Sequence, residues 1–298
     1  MSEEELHPLA TGPTRRRRRL SDEETARRVL DAALAMVHRS GLTVGLDHIS
    51  FEDVIREAGV SRTAAYRRWP YKDLFFGDLL RALASGAAPA AAVSAETSRA
   101  LIASVVADRS GDLSSPEGRR DLVSELIRLG AASDQQAIRE SPEWRTYLAL
   151  QATFLSLPLG ALRDEIHAAL GRSEQGFVDR IAQGWQSLAE LLGFRLRPES
   201  GGDYTVIATL ASGQVRGLAL MELSHPDLVN RRSTGNPTGA STAADWSLAG
   251  LGAASIAMTF LEPDPDVVWD DARLAELRQL LEGVPMIERA PDSAPRSD

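Results

Sequence analysis

Apolar side chains recur along this chain every three to four residues, the period of helices that each bury one face. The first stripe is Ala26, Val29, Leu30, Ala33, Leu34 and Val37. Ser21 with Glu24 three residues on makes a capping-box start, and Gly41 marks a stop. A short second pattern starts at Ser50, uses Phe51, Val54, Ile55 and Ala58 as its apolar face, and ends at Gly59. Ser61 then caps a third helix that reaches Trp69. Pro70 breaks it, because proline lacks an amide donor and keeps its predecessor out of the helical region. A fourth helix is expected from Tyr71 to Ala84.

Ser85 to Ala95, rich in alanine and holding Gly86 and Pro89, reads as a hinge. Beyond it the helical period returns over 97–108, 117–139, 142–170, 173–192, 203–223, 243–261 and 268–282, with a long loop at Ser224–Ser241. Alternation of period two never lasts more than a few residues, so no strands are expected. The pattern predicts an all-α chain. It divides into a disordered arm over 1–19, a helical head over 20–84, a helical body over 97–283 and a disordered tail over 284–298.

Composition narrows the chemistry. Cysteine is absent, which excludes disulfides, thiolate zinc sites and cysteine nucleophiles and fits a reducing cytoplasm, the expected location. The acidic N-terminus has no apolar core of a signal peptide, and Arg15–Arg19 runs into Ser21-Asp22-Glu23-Glu24 rather than an export signal's apolar stretch. The best membrane-span candidate, Leu148 to Leu162, contains Pro158, so a soluble chain is expected.

Charge is unevenly spread, and this changes the picture most. The chain carries a net charge of −9, yet Arg15 to Lys72 holds 13 basic against 8 acidic residues. That is +5, which leaves −14 for the remainder. A basic head on an acidic body points to nucleic acid as the head's partner. Within AGVSRTAAYRRWPYK, residues 58–72, the chain places three arginines, two tyrosines and its only lysine, Lys72.

Two short helices joined at Gly59, the second starting on a serine cap, form the pattern of a helix-turn-helix. The second helix of such a pair enters the major groove with its first turn at the base edges. On it, Ala65 and Trp69 are expected to face the core, while Arg62, Thr63, Tyr66 and Arg67 face outward. The run Val54-Ile55, Ala58-Gly59-Val60-Ser61, Tyr66, Trp69-Pro70 and Lys72 resembles the DNA-binding signature of tetracycline-repressor (TetR)-type transcriptional regulators. The resemblance covers residues 20 to 82. The loop after Gly41 is about four residues longer than that family's, and Ala65 replaces a larger aliphatic residue whose space Trp69 is expected to fill.

The resemblance implies that Arg62, Thr63 and Ala64 meet base edges and that Tyr66 and Lys72 hold phosphates. Ser50 and Ser61 would cap helices beside the backbone, and Arg67 and Arg68 would go to bases or phosphates. Arg15, Arg16, Arg17, Arg18 and Arg19 would form a basic arm. It further implies an all-helical body that dimerises and binds an effector, and a homodimer matching a near-palindromic double-stranded DNA operator.

In the body, Trp246, Ala249, Gly250, Ala253, Ile256, Ala257 and Phe260 make a small-residue stripe. Ile207, Leu210, Ala211, Leu218 and Met221 make a second face, and the two helices are expected to pair across a dimer. Trp144, Tyr147, Phe154, His167, Phe177 and Trp185 suggest a pocket for an apolar or aromatic small-molecule effector. No catalytic set, cofactor motif or metal cluster is expected. Gly250-Leu251-Gly252 imitates a dinucleotide fingerprint without a preceding strand, and Asp164 with His167 reads as a surface pair. The expected function is a ligand-responsive repressor. An enzyme with a DNA-binding head, a ligand-independent regulator and a shape-reading DNA binder are the alternatives.

Overall fold

The computed structural model describes residues 21–40, 49–86, 95–108, 113 and 115–275. The expected arm with Arg15–Arg19, the long loop after Gly41, most of the hinge, residues 276–282 of the expected last helix and the tail lie outside the described residues. The head comprises α1 (Asp22–Ser40), α2 (Phe51–Glu57), α3 (Arg62–Arg68) and α4 (Lys72–Gly86). Local chemistry sets its boundaries. The Ser50 hydroxyl accepts from the Asp53 amide and the Ser61 hydroxyl from the Ala64 amide, satisfying donors that the first turns of α2 and α3 leave open. Between them Gly59 adopts a φ of 64°, the left-handed conformation in which a side chain is strained.

Fully buried Phe51, Trp69 and Phe75 pack α2, α3 and α4 together. Phe51 stacks on Phe75 with ring centres 4.5 Å apart, and Trp69 meets both rings edge-on. Ala65 is fully buried beside them, so the small side chain and the large indole share one space.

The body adds α5 (Ala95–Asp108), α6 (Pro116–Glu140), α7 (Pro142–Ser156), α8 (Ala161–Leu191), α9 (Tyr204–Glu222), α10 (Pro226–Val229) and α11 (Leu248–Phe260). α8 packs on α9 and on α4 of the head, and α11 packs on α6 and α9. The fold is all-α in class, but the expectation of no strands fails. β1 (Phe194–Leu196) pairs antiparallel with β4 (Leu261–Pro263), and β2 (Arg232–Gly235) with β3 (Ala244–Ser247). Each strand is only three or four residues long, too short to print a period in the sequence.

Three further boundaries move. The expected break near 171–172 is absent because α8 runs straight through Gly171, which costs only about 1 kcal/mol in a helix interior. The break falls instead at Leu157–Gly160, where Pro158 cannot continue α7 and Gly160 opens α8 with a φ of 150°. The expected loop Ser224–Ser241 holds α10 and β2. Trp246 therefore lies on β3 ahead of α11, its indole donating to the Gly235 carbonyl at 3.2 Å.

A strand does precede Gly250-Leu251-Gly252, contrary to expectation, but it belongs to a hairpin and the glycines serve packing. A Cβ on Gly252 would sit 2.1 Å from the Gln214 amide, which bonds the Leu248 and Ala249 carbonyls. Gly252→Ala should push the Gln214 side chain off the Leu248 and Ala249 carbonyls and lower stability by about 1 kcal/mol, read as a drop in the urea midpoint.

Two acidic groups of the body, both disfavoured by burial, end with opposite pKa shifts. Asp134, half-buried on α6, has no hydrogen-bond or ion-pair partner among the described residues, and burial pushes its pKa up to about 6. Its folded value exceeds the unfolded one. The neutral acid's contribution is therefore whole below about pH 4 and is lost as pH rises through 6. Asp134→Asn should stabilise the chain by about 2 kcal/mol at pH 7 and by almost nothing at pH 4, measured by denaturation at both values.

Glu174 on α8 is the contrasting case. Burial works against its charge, yet its pKa is held below the ordinary value by bonds from Arg216 and Tyr147. Arg216 on α9 grips it with both terminal nitrogens at 2.5 and 2.9 Å, and the Tyr147 hydroxyl of α7 donates to it.

Candidate nucleic-acid interface and effector cavity

With Ala65 and Trp69 turned inward, α3 presents Arg62, Thr63, Tyr66, Arg67 and Arg68 to solvent. Ala64 is half-buried between the faces, and the Ser50 and Ser61 hydroxyls are occupied as caps. Tyr66 remains 39% exposed while its ring edge rests against Phe51 at 5.4 Å, so the core fixes the ring and leaves the hydroxyl outside. Lys72 stands exposed at the start of α4.

One residue that sequence reasoning passed over organises this surface. Glu52, in the first turn of α2, accepts from the Tyr66 hydroxyl at 2.6 Å and pairs with Arg62 at 2.5 Å. The Tyr66 bond, then Arg62, with Lys72 adding its charge, hold the Glu52 carboxyl below its usual range. The same carboxylate raises the Tyr66 phenol above its usual range. Arg62 and Tyr66, ten and fourteen residues along the chain from Glu52, thus share its carboxylate, and the Lys72 charge acts on it as well. The other arginines of α3 are matched in the same way: Arg67 with Asp22 of α1, and Arg68 with Asp78 of α4 at 3.0 Å. No sequence pattern marks Glu52, since its neighbour Tyr66 is fourteen residues away.

In the body, the six aromatic and histidine candidates do not form one pocket. Trp144, Tyr147 and Phe177 are buried against each other in the core, with ring centres 5.4–5.7 Å apart. Phe154 stacks on His167, whose ring is exposed. Only Trp185 borders a cavity of about 390 Å³, walled by α6, the end of α8, β1, the end of α11 and the segment through Trp269. The other five do not line this cavity.

The small-residue stripe divides. Ala249, Gly250, Ala253 and Ala257 of α11 are buried within the chain, as are Trp246 and Ile207, while Leu218, Ile256 and Phe260 are half-buried. Leu210 and Met221 of α9 are each 46% exposed. They align with exposed Val206 and with Gly213 and Gly217, which have open space where a side chain would be. No helix among the described residues is long and apolar enough to cross a membrane.

Neither a family model nor a curated protein matches the chain. Among solved structures it is similar to a TetR-family transcriptional regulator from Agrobacterium tumefaciens, at 16% identity and a TM-score of 0.38 over 80% of this chain and 97% of that one. It is similar to a putative TetR-family regulator from Mesorhizobium loti MAFF303099, at 17% identity and a TM-score of 0.37 over 81% of this chain and 99% of that one. A third similar structure is SmeT, the repressor of the Stenotrophomonas maltophilia multidrug efflux pump SmeDEF, at 18% identity and a TM-score of 0.36 over 83% of this chain and 98% of that one. At such TM-scores the likeness carries no assignment; the chain's own residues decide.

Proposed function

We propose that this chain is a DNA-binding transcriptional regulator of the TetR type, acting as a homodimer whose grip on an operator responds to a small molecule. The observation that carries this reading is the convergence of Arg62, Tyr66 and Lys72 on one exposed face, around Glu52 and opposite the aromatic core. An arginine fork, a phenol and an ammonium at the start of a helix are donors suited to guanine edges and phosphates. Binding exchanges the Glu52 carboxylate for a DNA phosphate as their acceptor. The exposed stripe of Val206, Leu210, Gly213, Gly217 and Met221 on α9 is the proposed dimer face, since an isologous contact there lets backbones approach closely.

The reading is tested by selecting duplexes from a random pool on the full chain and measuring binding of the enriched sequence. Tyr66→Phe should weaken binding about tenfold, the value of a hydrogen bond to a charged group. Lys72→Ala should reduce the salt slope by about one without altering sequence preference. Glu52→Gln should raise affinity for random duplex about two- to fivefold, because Arg62 and Tyr66 no longer have a carboxylate competing with DNA. If the pool enriches nothing and the variants bind alike, the chain reads no sequence through this face.

A further inference from the structure

The cavity at the end of α8 has two kinds of wall. Its interior is apolar, built from Val123, Leu126, Trp185, Leu188, Phe194 and Trp269 among others. Its volume of about 390 Å³ lies in the small-molecule range and equals the liquid share of about a dozen waters. The charged lining residues are Arg119, Arg120 and Arg197 with one acid, Asp264, and Arg197 also pairs with Glu199 at 3.7 Å and Glu262 at 4.0 Å. The first turn of α6 adds to the same sign. Pro116 borders the cavity, and the Ser115 cap leaves a helix N-terminus there with its positive dipole end.

This wall is built, not incidental. The Arg119 guanidinium lies over the Trp269 ring, 4.7 Å from its centre, and donates to the Leu113 carbonyl at 3.1 Å. Trp269 in turn seats against bare backbone at Gly193, where a Cβ would fall 2.9 Å from the indole nitrogen and where φ is 67°. Arg197 is steered by the Leu261 carbonyl at 3.1 Å and Arg120 by the Gly239 carbonyl at 3.4 Å. Backbone and aromatic contacts thus fix where the three guanidinium groups stand.

We infer that the cavity binds a small organic carboxylate whose apolar or aromatic body fills the interior while its single acid group meets the arginine wall. A planar carboxylate matches a guanidinium fork, and a monoanion suits a wall whose positive charge is partly offset by Asp264, Glu199 and Glu262. A neutral apolar molecule would leave the arginines without a ligand partner, and a polar anion without an apolar body would leave the interior unfilled.

Occupancy can reach the head through α8. Trp185 and Leu188 of that helix line the cavity, while at its other end Leu162 packs on Gly77 and Glu165 pairs with Arg81, both on α4. The two ends are about 35 Å apart at the rise of an α-helix. This effector role rests on the regulatory reading above; the binding itself does not.

The test uses the full chain with decanoate and 2-naphthoate, each beside its neutral counterpart, decanol and 2-naphthalenemethanol. At least one acid should saturate a change in tryptophan fluorescence and raise the melting midpoint by about 3 °C or more, with its alcohol doing neither. The acid that responds separates a flexible aliphatic ligand from an aromatic one. Arg120→Gln should weaken that acid about tenfold. Equal responses to acid and alcohol would overturn the carboxylate assignment, and no saturable response to any of the four would overturn the site. Saturable acid binding that leaves a selected duplex bound would uphold the site and overturn its effector role.

Discussion

Trp69→Ala should melt the head and abolish DNA binding at room temperature while the body stays folded. Trp69 is fully buried, and its ring closes the cluster of Phe51 and Phe75 that holds α2, α3 and α4 together. Truncating such a residue costs about 3–5 kcal/mol, partly as lost transfer energy and partly as the cavity left behind. A second loss comes with it. The indole donates to Asp78 at 2.9 Å, and Asp78 also holds Arg68 and Arg81, so an acid at the junction of head and body loses one of three partners. α2 and α3 are only seven residues each, so that cost is a large share of what holds them in place. Trp69→Phe keeps a ring and should cost far less, about 1–2 kcal/mol for the lost indole bond and volume. Far-UV and near-UV circular dichroism along a urea titration would resolve an early transition in the alanine variant. A variant that still binds the selected duplex with wild-type affinity would show that α3 is held by something else.

Arg216→Met should destabilise the body by about 2–3 kcal/mol, because it strands the Glu174 carboxylate between α7, α8 and α9. The cost is set below that of a fully buried pair, since the Glu174 side chain keeps 32% of its exposure. Replacing both partners, as Arg216→Met with Glu174→Leu, should recover most of the loss, because no uncompensated charge remains. The pH dependence distinguishes this pair from Asp134. Glu174 has a depressed folded pKa, so its contribution is present above the unfolded carboxylate value and disappears as pH falls through the folded one. Wild-type stability should therefore fall in acid through Glu174, and this slope should vanish in the double variant. Tyr147, whose hydroxyl shares the carboxylate, is pushed up to about 12 by burial first and the Glu174 bond second, so it stays neutral throughout. If the double variant is no more stable than Arg216→Met, the ion pair is not what the single change removes.

The head was legible in the sequence because its signals are local. Ser50 and Ser61 cap the amides they were expected to cap, Gly59 takes the left-handed turn, and Trp69 closes α3 ahead of Pro70. Each depends on neighbours within a few residues. The body was legible only as helices. Gly171 looked like a stop but sits inside α8, because packing on both sides outweighs a single glycine. The cavity joins residues from Pro116 to Trp269, and no period along the chain connects them. The aromatic residues of α7 and α8 drew attention as large and exceptional, yet most of them are simply core. Glu52 escaped notice for the opposite reason: an acid in the first turn of a helix is ordinary until the fold brings Tyr66 and Arg62 to it.

On the DNA-binding function proposed above, the acids that hold the arginines of α3 bear on how the chain would find its site. Glu52, Asp22 and Asp78 give each arginine a partner that travels with it, so brief encounters with RNA or random genomic DNA gain little. A duplex must offer acceptors to several of these groups together before the exchange becomes favourable. Residence on wrong sequences is shortened more than residence on the right one. In a cell crowded with polyanions, carboxylates beside the proposed reading surface would thereby shorten the search.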